Sequence, residues 1–406
     1  MSEQTEEVFF NPLDPQLAVD PFPIFKRFRD IDPVHSVGGG LYVVTGHDEA
    51  RTALAHKGGD LRWEQFQRAR HGDDVVDMPY FVHLAPDVLM KAGEDHRRVR
   101  GTFQRNLTAG VVNRMREEFQ ATADRLVDGF VADGRVELMK AFASPLPLSA
   151  ISRLLRVPEE DEAKIEHWMH GFKLAIQMLP LSPEDLAFAN SGIASLNAYF
   201  SGFVAERRAN PGDDLVSRMI ADADAGLLTE EELVTNVWGL YVGGHDTTSL
   251  SIGNAMATLL EHPAELEKLR ADPSRIPAAI EEVLRYVTTV QGTHRLFTEE
   301  LTLGAHTIPP DVPVLVYLAG GNHDERLCPH ADAFDLDRPP VPDHLAFGHG
   351  PHKCPGRSMA RMLLAIAVQT LITRLPGLTL EQLTWDTSAP VFRGPEVLEL
   401  TWDVPA

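Results

Sequence analysis

From Thr229 to Glu261 the chain reads as one uninterrupted helix, and this constrains the fold more than any other stretch. Thr229-Glu230-Glu231-Glu232 is a capping-box pattern, in which a hydroxyl and a carboxylate three residues on satisfy each other's free N–H groups. His262-Pro263 ends the run. At 1.5 Å per residue such a helix is about 48 Å long, the spine of a large domain. Other helical patterns surround it. Ser182-Pro183-Glu184-Asp185 opens a helix that runs to Asn210, where Pro211 and Gly212 stop it. Val111 to Val131 puts Val112, Met115, Phe119, Leu126 and Phe130 on one side, and Arg357 to Leu375 repeats apolar residues at steps of three and four. Strand patterns are short: "LYVVT" from Leu41, "VPVLVYL" from Val312 and "VLELTW" from Val397. The expected fold is mainly α with small peripheral β-sheets.

The 406 residues suffice for two or three domains or one large one. No Ser/Gly linker, repeat or low-complexity block divides them, so 1–406 is expected to form a single large domain. The acidic opening "MSEQTEEVFFNPLDP" lacks a basic-then-apolar signal pattern, and no stretch approaches the roughly 20 apolar residues of a membrane span. Two cysteines make no disulfide framework and suit a reducing compartment, so a cytoplasmic location is expected. The net charge of −22, from 37 basic and 59 acidic residues, argues against nucleic acid or a membrane surface as partner. Against that background Arg97, Arg98, Arg100 and Arg105 gather in one stretch, and Lys353, Arg357 and Arg361 in another.

Four short stretches carry chemistry. In "HLAFGHGPHKCPG", residues 344–356, Cys354 stands just ahead of a helix N-terminus, where free N–H groups and the macrodipole favour a thiolate. The long helix contains "GGHDTTS": Gly243 and Gly244 each cost about 1 kcal/mol relative to alanine in a helix interior. Such a cost fits either close helix packing beside a polar patch, or a groove where a flat ligand meets backbone and Asp246 and Thr247 handle protons. Glu282 and Arg285 lie three apart, an ordinary surface pair when taken alone. His96 and Arg100, four apart in "GEDHRRVRGTF", read alone as part of a solvated basic face.

His344, His349 and His352 near Cys354 raise the possibility of zinc. Structural zinc sites need paired short spacings, however, and Cys328 stands 26 residues away with no partner beside it. One thiolate, glycine-rich backbone and an apolar helix suit a large flat cofactor better, and thiolate-ligated haem is of that kind.

Together the four stretches resemble the cytochrome P-450 superfamily. "FGHGPHKCPG" has its Phe-Gly-x-Gly-x-His-x-Cys-x-Gly signature, "GGHDT" is similar to its oxygen-activation segment, Glu282-x-x-Arg285 to its Glu-x-x-Arg, and Phe334 to Arg338 ("FDLDR") to the segment whose arginine joins that pair. They occur in family order, and the likeness runs from about Asp20 onward. The resemblance implies the P-450 fold, with haem b between the long central helix and the cysteine-bearing loop. Cys354 would be the axial ligand of the haem iron, Phe347 the ring beside it, and Gly348 and Gly350 the sources of N–H groups near the sulfur. His352, His96, Arg100 and Arg295 match propionate-binding positions. Gly243 and Gly244 let the helix approach the haem, and Asp246 and Thr247 match the catalytic acid and alcohol. Glu282, Arg285 and Arg338 match a buried structural triad. The substrate pocket would draw on Val82, Phe172, Leu174, Met178, Val290 and Phe392, with Met78 and Met169 adding an adaptable lining.

The resemblance implies a monomeric bacterial-type monooxygenase of secondary metabolism. It would insert one atom of O2 into an apolar small molecule, using NAD(P)H-derived electrons delivered by a ferredoxin and its reductase. The alternatives are a peroxide-driven peroxygenase and a non-catalytic haem sensor or carrier. Gly243 stands where alanine is common and Pro355 where leucine is frequent. The segment "RYVTTVQG" lacks a proline often found there, which leaves the local shape of the substrate pocket open.

Overall fold

A computed structural model describes residues 10–11, 14–37, 40–177, 180–339, 341, 343–388 and 391–404. Six helices matter for the site: α1 (Gly93–Asn106), α2 (Glu162–Ala175), α3 (Pro183–Ala209), α4 (Glu230–Glu261), α5 (Ile276–Tyr286) and α6 (Arg357–Arg374). Their starts follow local chemistry. The Ser182 hydroxyl accepts the Asp185 N–H at 3.1 Å ahead of α3. At α4 the capping box closes in both directions: Thr229 N–H donates to Glu232 at 3.0 Å, and Glu232 N–H to the Thr229 hydroxyl at 3.2 Å. The segment read from Val111 to Val131 is not one helix. It splits into Ala109–Arg114 and Arg116–Asp128, because the backbone at Met115 leaves helical geometry at φ −94°, ψ 0°.

The chain forms two compact units, each assembled from distant segments. One comprises Met1–Gly59, Asn254–Lys353 and Leu383–Val397; the other comprises Asp60–Gly253, Cys354–Gln382 and Leu398–Ala406. In the first, Val34–Ser36 pairs antiparallel with Tyr42–Val44, which runs parallel to Val314–Tyr317, which in turn pairs antiparallel with Gly292–Phe297. Val44, Leu54, Phe297, Val314, Val316 and Leu345 are buried against one face of this sheet. Val43 and Leu315, between them on the opposite face, are buried as well, so both faces of the central strands are covered.

The second unit is mostly helical, with a small sheet in which Glu399, Leu400 and Thr401 pair with Glu137, Val136 and Arg135. Most of α4 lies in this unit. From Glu232 to Leu259 every residue of α4 is buried except Gly239, Leu240, Gly243, Gly244, Asp246 and Thr247. Those six fall at helical spacing on one face, so a single open stripe interrupts an otherwise buried rod. Among the described residues, no helix is long and apolar enough to cross a membrane.

Candidate active site

The open stripe presents bare backbone. Gly243 is exposed in mid-helix, and a Cβ built on it would meet nothing within 4 Å; Gly244 is seated against Ile151 at 3.2 Å. The helix continues through both glycines. The Thr247 hydroxyl donates to the Gly243 carbonyl at 2.8 Å, which leaves its lone pairs available to accept.

Asp246 is held by its neighbour. Burial opposes ionisation of its carboxyl, but contact with His245, the charge of His245, and Lys173 and His170 beyond it outweigh burial and keep it below the usual carboxylate range. His245 Nδ1 lies 3.0 Å from Asp246 Oδ1, at an angle too bent for a full hydrogen bond, so this contact is electrostatic. On its other side, Nε2 of the buried His245 meets Ser144 Oγ at 2.9 Å, and Ser144 donates to Glu166 at 3.1 Å. The serine has one hydrogen, and Glu166 takes it. Nε2–H therefore donates to Ser144, and Nδ1 faces Asp246. No local pattern in the sequence joins Ser144 and Glu166 to the "GGHDT" segment; they reach it only through folding.

Cys354 sits two residues before the N-cap of α6. The residue keeps part of its surface open, yet protein crowds its sulfur, and this burial raises the thiol pKa. The Gly356 N–H, the charges of Arg100 and Arg357 and the Arg357 N–H pull the other way without reversing the shift. The expectation that the helix end alone would favour a thiolate is therefore corrected: burial outweighs it, and a bound metal ion is what would deprotonate the sulfur outright. Arg357 also donates to the Cys354 carbonyl at 3.1 Å.

Arg100 and His96 are buried on one face of α1, and burial lowers the Arg100 pKa. Neither belongs to a solvated face. The basic stretch around them is not free either. Arg98 is clamped by Glu232 at 2.6 and 2.8 Å and by Asp95 at 3.0 Å, Arg97 pairs with Glu94, and Arg105 with Asp222. Arg97, Arg98 and Arg105 thus each answer a carboxylate of the same chain.

Of the pocket candidates in this unit, Val82 is exposed, and Phe172 packs edge-on against Trp238 with ring centroids 6.4 Å apart. The Leu174 carbonyl accepts from the buried guanidinium of Arg70, which also grips the Ala175 carbonyl at 2.8 Å. Met178 lies outside the described residues.

In the first unit, Glu282 takes both Arg285 Nε and Nη2, at 2.8 and 2.7 Å, and Arg338 Nε at 3.1 Å. Arg285 reaches on to the carbonyls of Asn322, Ala331 and Ala333, and Arg338 to those of Pro329, His330 and Ala333. The Arg285 side chain is wholly buried, which excludes the ordinary surface pair. Gly350, at φ +70°, lies so close to Leu54 and Ala55 that a Cβ would collide with them; Gly348, at φ +67°, borders open space. Phe347 packs near the His344 ring, 6.0 Å between centroids, and His344 is turned to Glu281 at 3.1 Å. Arg295 is buried in the strand Gly292–Phe297, His352 is half-buried in a short turn, and Val290 bridges Phe392. Among the described residues no three His, Cys, Asp or Glu side chains gather as a metal cluster.

A family model for cytochrome P450 matches residues 194–382. The chain is 35% identical over 403 residues to the cytochrome P450 monooxygenase PikC of Streptomyces venezuelae, covering 96% of this chain and 93% of that protein. The chain belongs to the cytochrome P450 family. It is also 30% identical to the 6-deoxyerythronolide B hydroxylase of Saccharopolyspora erythraea, covering 89% of this chain and 90% of the other. The crystal structure of CalO2 superposes with a TM-score of 0.92 at 28% identity, covering 98% of this chain and all of that one. The protein is accordingly an oxidoreductase of the bacterial P450 monooxygenase type, with the P450 fold, and its family implies a haem iron. The residues present fit that group: a cysteine sulfur receiving backbone N–H groups beside Arg100, an open stripe of bare backbone on α4, and buried cations suited to carboxylates.

Proposed function

We propose that the chain is one haem-thiolate catalytic domain that inserts a single oxygen atom from O2 into a largely apolar small molecule. The observation that carries this reading is the open stripe of α4, where bare backbone at Gly243 adjoins an acid and an alcohol, Asp246 and Thr247. When bound, the haem supplies an iron at which dioxygen is activated. Cys354 holds that iron through its sulfur, with Phe347 packed beside it and Gly348 and Gly350 shaping the loop. His96, Arg100, Arg295 and His352 hold the haem's carboxylates. Asp246, kept below its ordinary pKa, accepts and releases a proton at the edge of the open stripe. Thr247 Oγ1, its own hydrogen directed to Gly243, accepts a hydrogen bond from the next group in line. Val82, Phe172, Leu174, Val290 and Phe392 give the substrate an apolar surrounding, and a hydroxylase and a PikC monooxygenase among the relatives support a substrate from secondary metabolism.

By the same family resemblance, electrons are assigned to a ferredoxin and its NAD(P)H-dependent reductase, acting on a cytoplasmic monomer. The test is spectroscopic. The reduced, carbon-monoxide-bound protein should show the thiolate signature, and Cys354→Ala should abolish it while Cys328→Ser leaves it unchanged. A signature that survives Cys354→Ala removes this cysteine from the iron. Turnover with peroxide alone, and none with electrons and O2, replaces the monooxygenase by a peroxygenase.

A further inference from the structure

Asp87 stands between the helix Pro79–Leu84 and the turn Val88–Met90. It is 8% exposed. Its Oδ1 accepts the Leu89 N–H at 2.7 Å, and among the described residues its Oδ2 takes no hydrogen bond. That oxygen rests on α4 at Gly239, where any Cβ would collide with it. Gly239 is the first residue of the open stripe, one turn before Gly243 on the same face, so the carboxylate borders the space that Asp246 and Thr247 border lower down.

The placement is fixed, because the loop is pinned to α4. Thr235 donates to the His83 carbonyl at 3.0 Å, Asn236 to the Pro86 carbonyl at 3.3 Å, and the Val88 N–H to Asn236 at 3.0 Å. Two costs meet here: a glycine inside a helix and a carboxylate that is largely withdrawn from water. Among the described residues the one charged side chain that acts on Asp87 is Lys91, and Lys91 is already paired with Glu232 of α4 at 2.9 Å. Asn236 and Gly239, which α4 presents to the loop, are uncharged.

We propose that Asp87 is a specificity-determining residue that receives a protonated amine of the substrate, so that the preferred substrate is an apolar skeleton bearing a basic nitrogen. This rests on the monooxygenase reading and narrows its substrate. A cation at Oδ2 offsets the burial cost, and the open stripe below it receives the carbon skeleton beside Asp246 and Thr247. Burial pushes the Asp87 carboxyl up to about 6, against the Leu89 N–H and Lys91. The acid is therefore ionised at neutral pH and neutral in mild acid.

The test uses the haem-loaded protein and two probes: N,N-dimethyl-4-phenylbutylamine, protonated at neutral pH and so unable to ligate iron, and its uncharged isopropyl isostere. Affinities are read by calorimetry and by the haem spin shift at pH 7.5. The wild type should prefer the amine by about tenfold or more, and Asp87→Asn should lose that preference while keeping its affinity for the isostere. In the wild type the preference should fade below pH about 6, a measurement that needs no variant. Asp87→Asn should also melt higher than wild type at pH 7.5, since it removes a buried charge that the Leu89 N–H and Lys91 offset only in part. A wild type without preference, or a variant that retains it, overturns the proposal. A missing thiolate signature in the wild type would instead sink the monooxygenase reading, and the calorimetric charge preference would stand apart from it.

Discussion

At the scale of single residues, the site divides into what adjacency writes down and what folding alone brings together. Cys354, Gly243, Asp246 and Thr247 are legible because each sits in a contiguous pattern whose spacing reflects one helix or one loop. Ser144, Glu166 and Asp87 are not: Ser144 meets Glu166 22 residues on and His245 101 residues on, Asp87 meets Gly239 of α4, and no local periodicity marks them. His245 is the instructive case. Its position in "GGHDT" is plain, yet its task of holding Asp246 low is visible only once Ser144 fixes its ring. His245→Phe should remove the contact that depresses the Asp246 carboxyl, so its pKa climbs. A depressed carboxyl stays ionised down to low pH, so the acid limb of product formed per NAD(P)H consumed should move to higher pH in this variant. An acid limb that stays in place would show that His245 does not position Asp246. Thr247→Ala and Asp246→Asn should leave haem content and ligand affinity nearly intact but divert electrons to peroxide. Unchanged coupling in both would remove the acid–alcohol pair from proton handling.

At the scale of elements, the extent of α4 and its capping box follow from the sequence, because a cap and its helix are local. What the sequence hides is the use to which the cap is put. Glu232 closes the box with Thr229 and also gathers Arg98 from α1 and Lys91 from the loop after Met90. Burial works against its charge, but Arg98, Lys91 and the Thr229 N–H overcome burial and hold the carboxyl at about 2. A folded-state pKa below the unfolded one contributes stability that is present above the unfolded value and lost as pH falls toward the folded one. Glu232→Gln should therefore cost on the order of 1–3 kcal/mol at pH 7. The gap in melting temperature between variant and wild type should narrow as pH falls from about 4.5 toward 2. A gap independent of pH would assign the loss to packing rather than to the ion pairs. The same logic places Arg285 and Arg338 among structural groups. Removing Glu282 leaves two guanidinium groups facing a row of carbonyls in a buried setting. Glu282→Ala should cost about 3–5 kcal/mol, seen as a lower melting temperature and poor haem retention. A variant as stable as wild type would show that the carbonyls alone suffice.

At the scale of the whole molecule, helix dominance and short sheets were legible from hydrophobic period, because period reports burial directly. The partition into two units was not: each gathers segments far apart in sequence, so no linker composition marks a boundary. Charge shows the same contrast. A basic stretch around Arg98 stands out from a net charge of −22, but in the fold its members answer local carboxylates, so a reversal at Arg98 would test the α1–α4 clamp and not a partner. The second stretch offers the better test of electron supply. Arg357 is exposed at the start of α6 and touches the Cys354 carbonyl, so altering it would disturb the sulfur; Arg361, one turn on, is half-buried. If an acidic ferredoxin docks on this end of α6, Arg361→Glu should slow reduction of the haem and flatten its dependence on salt. Charges on such a surface act over a Debye length of about 8–10 Å and mainly raise the encounter rate. The spin shift with a bound ligand should stay the same, since Arg361 is assigned no part in substrate binding. Reduction at the wild-type rate in low salt would move the docking surface elsewhere on the molecule.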